Sequence, residues 1–539
     1  WLKPFGLKPF WPKPLGQGRR FLPSRIGSGG PLCPRCSLLA GLMLAHDVET
    51  LPELLSALSG ADGFCDELTV DMWGILSESD VAGEHVDVAA KKRVEFEECA
   101  ELAAALATSF SVSALKVWTC PAHLAVAITA GLGRNSSVRS LSVSENLFSE
   151  TCVFTHGALL GTALKNNCTL ESFDMFCRDV QSDCALAMAD ALQKGSTLKD
   201  FQVRGASFFA RGPDDATGVA LAEALKRNPT MQSFEFHGGR FSNQSGDAMA
   251  EALKTNVVLQ SFRFEFGELV KETGIALGDA LQANSSLESV HLDFRGCDPE
   301  ATVAFVEAIK ENSKLKSLGL CLDACGAETG KALAEALTEN STLQSFDFGI
   351  RYGGVGPISD GIGLALAEAL KENRSLHSVH ISMPEEDFQT GLALAEALKG
   401  NSTLLSFSFF NNDAYSTIVR RAMASALEQN VMVRSLHLYA SITPPESGYS
   451  LNRVMGGWVE AEGGADDDQA IKMALARNRE LHRTWSAVSA LRSRGSGFGC
   501  LHGWRLQRAV IGFFMPSSCT HFPPADALDR GAPTARAAR

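Results

Sequence analysis

Ala332-Leu-Ala-Glu-Ala-Leu-Thr-Glu-Asn340-Ser-Thr-Leu-Gln-Ser-Phe-Asp-Phe348 and Leu394-Ala-Glu-Ala-Leu-Lys-Gly-Asn401-Ser-Thr-Leu-Leu-Ser-Phe-Ser-Phe409 are two copies of one unit, and that unit decides the fold. Anchored on its asparagine, the unit recurs at 135, 167, 195, 228, 256, 284, 312, 340, 373, 401 and 430. Most steps are 28 residues; the others are 29, 32 or 33. Self-similarity at such a period is the mark of a repeat array rather than of a string of separate globular domains.

Ten of the eleven anchors are Asn and the other is Gly195. These two residue types best tolerate the left-handed conformation that closes a helix, so the spacing predicts a helix ending at every anchor. Ten residues upstream stands glycine in seven units (Gly157, Gly218, Gly246, Gly274, Gly330, Gly363, Gly391), preceded in five by Thr217, Ser245, Thr273, Thr329 or Thr390. A hydroxyl there suits an N-cap. Leu333, Ala336 and Leu337 then recur at helical spacing. After the anchor the period falls to two: Leu343, Phe346 and Phe348, like Leu315, Leu318 and Leu320, point inward from a strand, while Ser345, Asp347 and Gly349 point out. Strand and helix alternating every 28 residues require parallel strands joined by right-handed crossovers. Strands sit about 4.8 Å apart and helices about 10 Å, so the array must curve with its strands on the concave side. Weaker strands at Cys65, Leu68, Val70 and at Val112, Leu115, Val117 bring the expected total to about thirteen.

This unit resembles the ribonuclease-inhibitor subfamily of leucine-rich repeats, found also in NOD-like receptors and Ran GTPase-activating proteins. The resemblance implies an α/β right-handed solenoid, a horseshoe with parallel strands inside and helices outside. One departure stands out. The family usually carries Asn or Cys eight residues after the first Leu, where it bonds to loop backbone. Here that place holds Asn146 and Asn412 but also Arg178, Gly239, Gly267, Arg295, Asp323, Arg351 and Pro384. Looser loops are expected along that edge.

The ends differ from the body. Of a net charge of −13, residues 1–46 contribute seven Lys/Arg and no acid, and residues 491–539 seven Arg against Asp526 and Asp529, which leaves 47–490 at −25. So acidic a body argues against a nucleic-acid partner. The expected organisation is a disordered basic Pro/Gly-rich tail (1–37), an N-terminal capping helix (38–60), the repeat array (61–440), an insertion with Pro444-Pro445 and Asp466–Asp468 (441–468), a C-terminal capping helix (469–490) and a second basic tail (491–539). The first residue is Trp, so the true start of the protein is expected upstream. The longest apolar run, 38–45, is far short of a membrane span. Cysteines are scattered singly, as in a reducing compartment, and the CxxC of Cys33 and Cys36 lacks a second ligand pair, so neither a metal nor a cofactor is expected.

Motifs of catalysis are missing: no HExxH, no GxSxG. Cys325-Gly-Ala-Glu-Thr-Gly330-Lys331-Ala332 lacks the first Gly and the final Ser/Thr of a P-loop and lies at a helix start of the repeat. Asn-x-Ser/Thr triplets at Asn135, Asn167, Asn284, Asn340, Asn373 and Asn401 follow from the helix-end asparagine and carry no inference of secretion.

What remains is the concave face. Its outward positions form three columns, the first nearly all serine. In the second and third, Glu235, His237, Arg263, Glu265, His291 and Asp293 fall on three neighbouring strands as a mixed-charge patch, and Phe176, Phe410 and Tyr439 are expected as exposed aromatics toward the ends, with Trp118. Lateral cross-strand pairing, Glu235 with Arg263 for instance, explains the charges without a ligand. The chain reads as a non-enzymatic, cytoplasmic scaffold binding a protein partner, a basic one if charge decides, with no membrane or nucleic acid involved. The resemblance leaves two alternatives: a GTPase-activating protein using Asn146 or Arg178 at the rim, or the ligand-sensing end of a NOD-like receptor.

Overall fold

A computed structural model describes residues 45–48, 51–59, 65–71, 99–119, 122–144, 159–177, 180–194, 197–205, 213–239, 241–294, 296–323, 326–350, 361–383, 388–410, 417–439 and 465–493. All belong to one compact unit, Leu44–Arg539. The expected tails, Asn146, Arg178, Gly195 and most of the 441–468 insertion lie outside the described residues.

Among the described residues fourteen strands form one open sheet in chain order, every neighbouring pair parallel. They are β1 Ala45–Val48, β2 Cys65–Asp71, β3 Val112–Thr119, β4 Ser140–Ser144, β5 Ser172–Cys177, β6 Asp200–Gly205, β7 Ser233–His237, β8 Ser261–Phe266, β9 Ser289–Phe294, β10 Ser317–Leu322, β11 Ser345–Ile350, β12 Ser378–Ser382, β13 Ser406–Phe410 and β14 Ser435–Tyr439. Successive strands alternate with helices that pack on one another in the same order, which makes the fold an α/β repeat solenoid. The register repeats without slip through the serine column, as in Ser289↔Ser317↔Ser345.

Two boundaries differ from expectation. The segment 38–60 is not one capping helix: β1 pairs with β2, and a nine-residue helix, Leu51–Ser59, follows it. β1 is therefore the strand beyond the expected thirteen. At the other end a single helix runs Ala465–Ser493, starting inside the expected insertion. Asp466–Asp468 lie in its first turn. Asn478 does not end this helix but lies within it.

The asparagine anchors work differently from the expected left-handed stop. Asn228, Asn256, Asn284, Asn312, Asn340 and Asn373 are extended, with φ between −62° and −76°, and no described non-glycine residue has positive φ. Their side chains carry the function instead. Asn340 Oδ1 accepts from the N–H groups of Thr342 and Leu343 at 2.9 Å, turning the chain from helix into strand. Its Nδ2 donates backward to the carbonyls of Ile309 (2.8 Å) and Asn312 (2.9 Å), both one repeat earlier. Asn135, Asn167, Asn284, Asn401 and Asn430 repeat both donations, as Asn135 to Leu106 O and Ser109 O and Asn430 to Leu398 O and Asn401 O. Asn228, Asn256, Asn312 and Asn373 make the first, to the carbonyls of Leu192, Leu225, Leu281 and Leu337. A helix leaves its last carbonyls without intrahelical partners, and here the next repeat's amide satisfies them. These buried asparagines thus make a ladder along the array, at a different position from the family's usual one.

The hydroxyl residues expected as N-caps sit inside the first helical turn. Thr217, Ser245, Thr273, Thr329 and Thr390 are buried at 1% exposure or less. The cap of the Asp215–Arg227 helix is Asp214, whose carboxylate accepts from Thr217 N–H. The glycine after each Thr or Ser makes room for the next repeat: a Cβ on Gly218 would lie 2.2 Å from Ser245 Oγ, and one on Gly274 2.2 Å from the Ala301 carbonyl oxygen.

The core lies between sheet and helices. Leu343, Phe346 and Phe348 are at most 1% exposed, and Leu333, Ala336 and Leu337 of the preceding helix belong to the same core. Phenylalanines stack from strand to strand: Phe173, Phe201, Phe234 and Phe262 have successive ring centroids 5.5, 5.6 and 6.1 Å apart. Each such pair contributes roughly 0.5–1.5 kcal/mol beyond area burial.

Candidate functional site

On the strand face opposite the helices, alternate residues remain partly open, as the burial pattern of β11 and β12 shows. There Glu235, Arg263 and His291 lie side by side in register on β7, β8 and β9, and Glu265 pairs with Asp293 one step further along the same strands. The six residues of the expected mixed-charge patch do come together on these three strands.

Their exposure is not that of an open patch. Glu235, Arg263 and His291 are half-buried, whereas His237 is 7%, Glu265 1% and Asp293 4% exposed. An outward-pointing side chain is buried here by its neighbours on the same face, which a single strand's alternation does not record. Arg263 Nε lies 3.7 Å from Glu235 Oε1, and an Arg263 terminal nitrogen 3.2 Å from His291 Nε2. His291 Nε2 is 3.2 Å from Asp293 Oδ1. Gly319 on β10 makes room for the imidazole, since a Cβ there would fall 1.9 Å from His291 Nδ1.

Within this group sits His237, 3.4 Å from Glu235 Oε1 through Nε2, and 3.4 Å from Asp293 Oδ2 and 3.8 Å from Glu265 Oε2 through Nδ1. The backbone N–H of Gly238 donates to Glu265 Oε2 at 3.1 Å. His237, Glu265 and Asp293 each offer an atom that lies within 4.8 Å of the other two, the one group of metal-ligating residues of this kind among the described residues. The sequence columns mark all three but not as a unit, although their equal spacing of 28 residues places them in one column of three adjacent strands.

The aromatics differ in how far they stand out. Trp118 is 55% exposed, in line with the expected exposed aromatic. Phe176 and Phe410 are half-buried, and the Tyr439 side chain lies outside the described ones. β5 and β6 add a pair that the sequence columns did not single out: Arg204 donates to Asp174 at 2.6 Å, and Ser142 adds a 3.3 Å bond to the same carboxylate. The Gly330-Lys331 pair does not form a phosphate cradle; Lys331 is on the helix Ala327–Glu339 with Nζ 3.7 Å from Glu335. Two glycines at the family's ladder position lie against Phe241: its carbonyl accepts from Gly267 N–H at 2.7 Å, and its ring fills the space a Cβ on Gly239 would need.

No protein-family model and no curated protein matches the chain. Among solved structures, the leiomodin-1 actin-binding site 2 is similar over 29% of this chain and 88% of its own, at 19% identity and a TM-score of 0.22. The tropomodulin C-terminal domain of Caenorhabditis elegans is similar over 28% and 92%, at 16% identity and a TM-score of 0.22. Among the described residues no helix is long and apolar enough to cross a membrane.

Proposed function

We propose that the chain is a non-enzymatic, cytoplasmic scaffold of ribonuclease-inhibitor-like repeats that binds a protein partner on its strand face. The observation that supports this reading most is the in-register sheet of fourteen strands, whose serine column is backed by a continuous core and carries short side chains beside a charged and an aromatic column. Such a face offers shape and a fixed array of side chains, the means by which solenoids bind. Trp118, Phe176 and Phe410 are the anchors, since aromatic residues dominate interface energetics. The 28-residue period supports the subfamily. The body's charge of −25 favours a basic partner and an affinity that falls with salt.

The test is quantitative capture of binding proteins by the purified full chain and by a Trp118→Ala/Phe176→Ala/Phe410→Ala variant, with circular dichroism as the fold check. A specific partner captured by the wild type and weakened at least tenfold by the triple variant is expected. A partner bound equally by both places binding elsewhere and overturns the assignment.

A further inference from the structure

We propose that His237, Glu265 and Asp293 form a binding site for one divalent transition-metal ion of the zinc type. The donor set is one imidazole nitrogen and two carboxylates, which suits zinc better than magnesium or calcium, ions that take oxygen alone. Its two negative charges match a divalent cation.

Geometry supports the donors. His237 Nδ1 stands 3.4 Å from Asp293 Oδ2 and 3.8 Å from Glu265 Oε2. Ligand atoms about 2.0–2.1 Å from a tetrahedral zinc are separated by about 3.3 Å, so the two carboxylate oxygens need to approach His237 Nδ1 by no more than about half an ångström, and all three atoms lie within 4.8 Å of one another. The imidazole has a side-chain exposure of 9%, and its Nε2 has no hydrogen-bond partner. A buried ring nitrogen without a partner is costly, and a ligand geometry that draws Glu235 onto Nε2 would relieve that cost.

One donor is already held by a hydrogen bond, and a polar group stands beside each of the other two, as around metal ligands. Glu235 Oε1 faces His237 Nε2 at 3.4 Å without bonding to it, and closing that gap would fix the tautomer that leaves Nδ1 free to ligate. The Gly238 N–H holds Glu265 Oε2 at 3.1 Å. His291 Nε2 lies 3.2 Å from Asp293 Oδ1, the other oxygen of that carboxylate. An ion here ties β7, β8 and β9 together across three repeats.

The full chain, stripped with a chelator and titrated with Zn²⁺, tests this by calorimetry and by metal content after dialysis. The Cys33/Cys36 pair could take zinc as well, so the difference between variants decides. The wild type is expected to hold one more ion per chain than Asp293→Asn or Glu265→Gln, and its Tm to rise with Zn²⁺ while theirs does not through this site. Glu235→Gln is expected to weaken zinc about 10–100-fold. Should the variants fail to fold, Co²⁺ bound to the wild type decides: visible bands without thiolate charge transfer support the site, and a purely thiolate spectrum overturns it. Equal metal content in wild type and folded variants, no uptake at all, or Mg²⁺ binding as tightly as Zn²⁺ also overturns it.

Discussion

The side-chain amide of Asn340 donates at 2.8 Å to the main-chain carbonyl of Ile309, a residue in the last turn of the helix one repeat before it. One residue thereby ends a neighbour's helix and starts its own strand, through four hydrogen bonds. Only a primary amide supplies two donors and an acceptor on so short a stem.

Asn340→Ala leaves the buried Ile309 carbonyl and Leu343 N–H and the half-buried Thr342 N–H to find new partners, while the Asn312 carbonyl keeps only the Thr342 hydroxyl. At about 1–3 kcal/mol for a buried polar group left unsatisfied, a loss of about 3 kcal/mol is expected. Asn340→Asp should cost at least as much, because it turns donors into a buried charge facing carbonyl oxygens. Urea unfolding of the two variants measures this; a loss under about 1 kcal/mol for both would remove the ladder from the account of stability.

Alanine is a better helix former than glycine by about 1 kcal/mol, so propensity alone favours both Gly274→Ala and Gly400→Ala. Packing separates them. A Cβ on Gly274 would meet the Ala301 carbonyl oxygen at 2.2 Å, whereas one on Gly400 would have nothing within 4 Å. Gly274→Ala should lower stability by about 1–3 kcal/mol, and Gly400→Ala should raise it by up to about 1 kcal/mol. Thermal unfolding of the pair distinguishes steric approach from propensity, and equal signs would contradict it.

Asp215 joins two repeats. Its carboxylate accepts from the backbone N–H and hydroxyl of Ser242 and from the hydroxyl of Ser245. Burial pushes its pKa up, but these bonds outweigh it and hold the carboxyl below its ordinary value. A carboxyl depressed on folding stabilises above its unfolded pKa of about 3.9, and that stabilisation drains away as pH falls below it. Asp215→Asn should cost about 1–3 kcal/mol at pH 7 and flatten the acid limb of the stability curve; an unchanged limb would show that the carboxylate plays no such part.

Burial also acts on Cys297, whose thiol is pushed up to about 12 and donates to the Gly267 carbonyl at 2.7 Å. Thiolate is the reactive form, so Cys297 should alkylate far more slowly at pH 8 than the exposed Cys168. Because its folded pKa is raised, its contribution to stability is whole below the unfolded value of about 8.5 and is lost as pH climbs from there to about 12. Mass-spectrometric labelling at both cysteines checks the rates; equal rates would contradict the burial.

The solenoid is legible because its two periods, 3.6 and 2, alternate at a constant distance, and Leu343, Phe346 and Phe348 fall inward where that pattern puts them. The anchors are visible in the sequence but their action is not, since Asn340 bonds to residues 31 and 28 positions away and local propensity sees neither. Thr217 has the chemistry of a cap without its place, because the helix begins two residues before it. β1 is hidden from periodicity because four residues, Ala45–Val48, are too few to show a period of two. The gathering of charge around Arg263 follows from the columns, but the depth of Glu265 does not: it depends on what lies beside it on the face, not along its own strand.

Every described ladder amide reaches toward the N-terminal side, so each turn of the coil is finished by the one that follows, and among the described residues the turn that ends in β14 has no successor of its own kind. Arg477 and Asn478 stand in for it: the guanidinium reaches Leu427 O at 2.7 Å and the amide reaches Asn430 O at 2.9 Å and Val433 O at 2.7 Å. The described array therefore has a polarity in its resistance to unravelling, and the Ala465–Ser493 helix is its latch: released there, fraying would advance repeat by repeat from β14 backward.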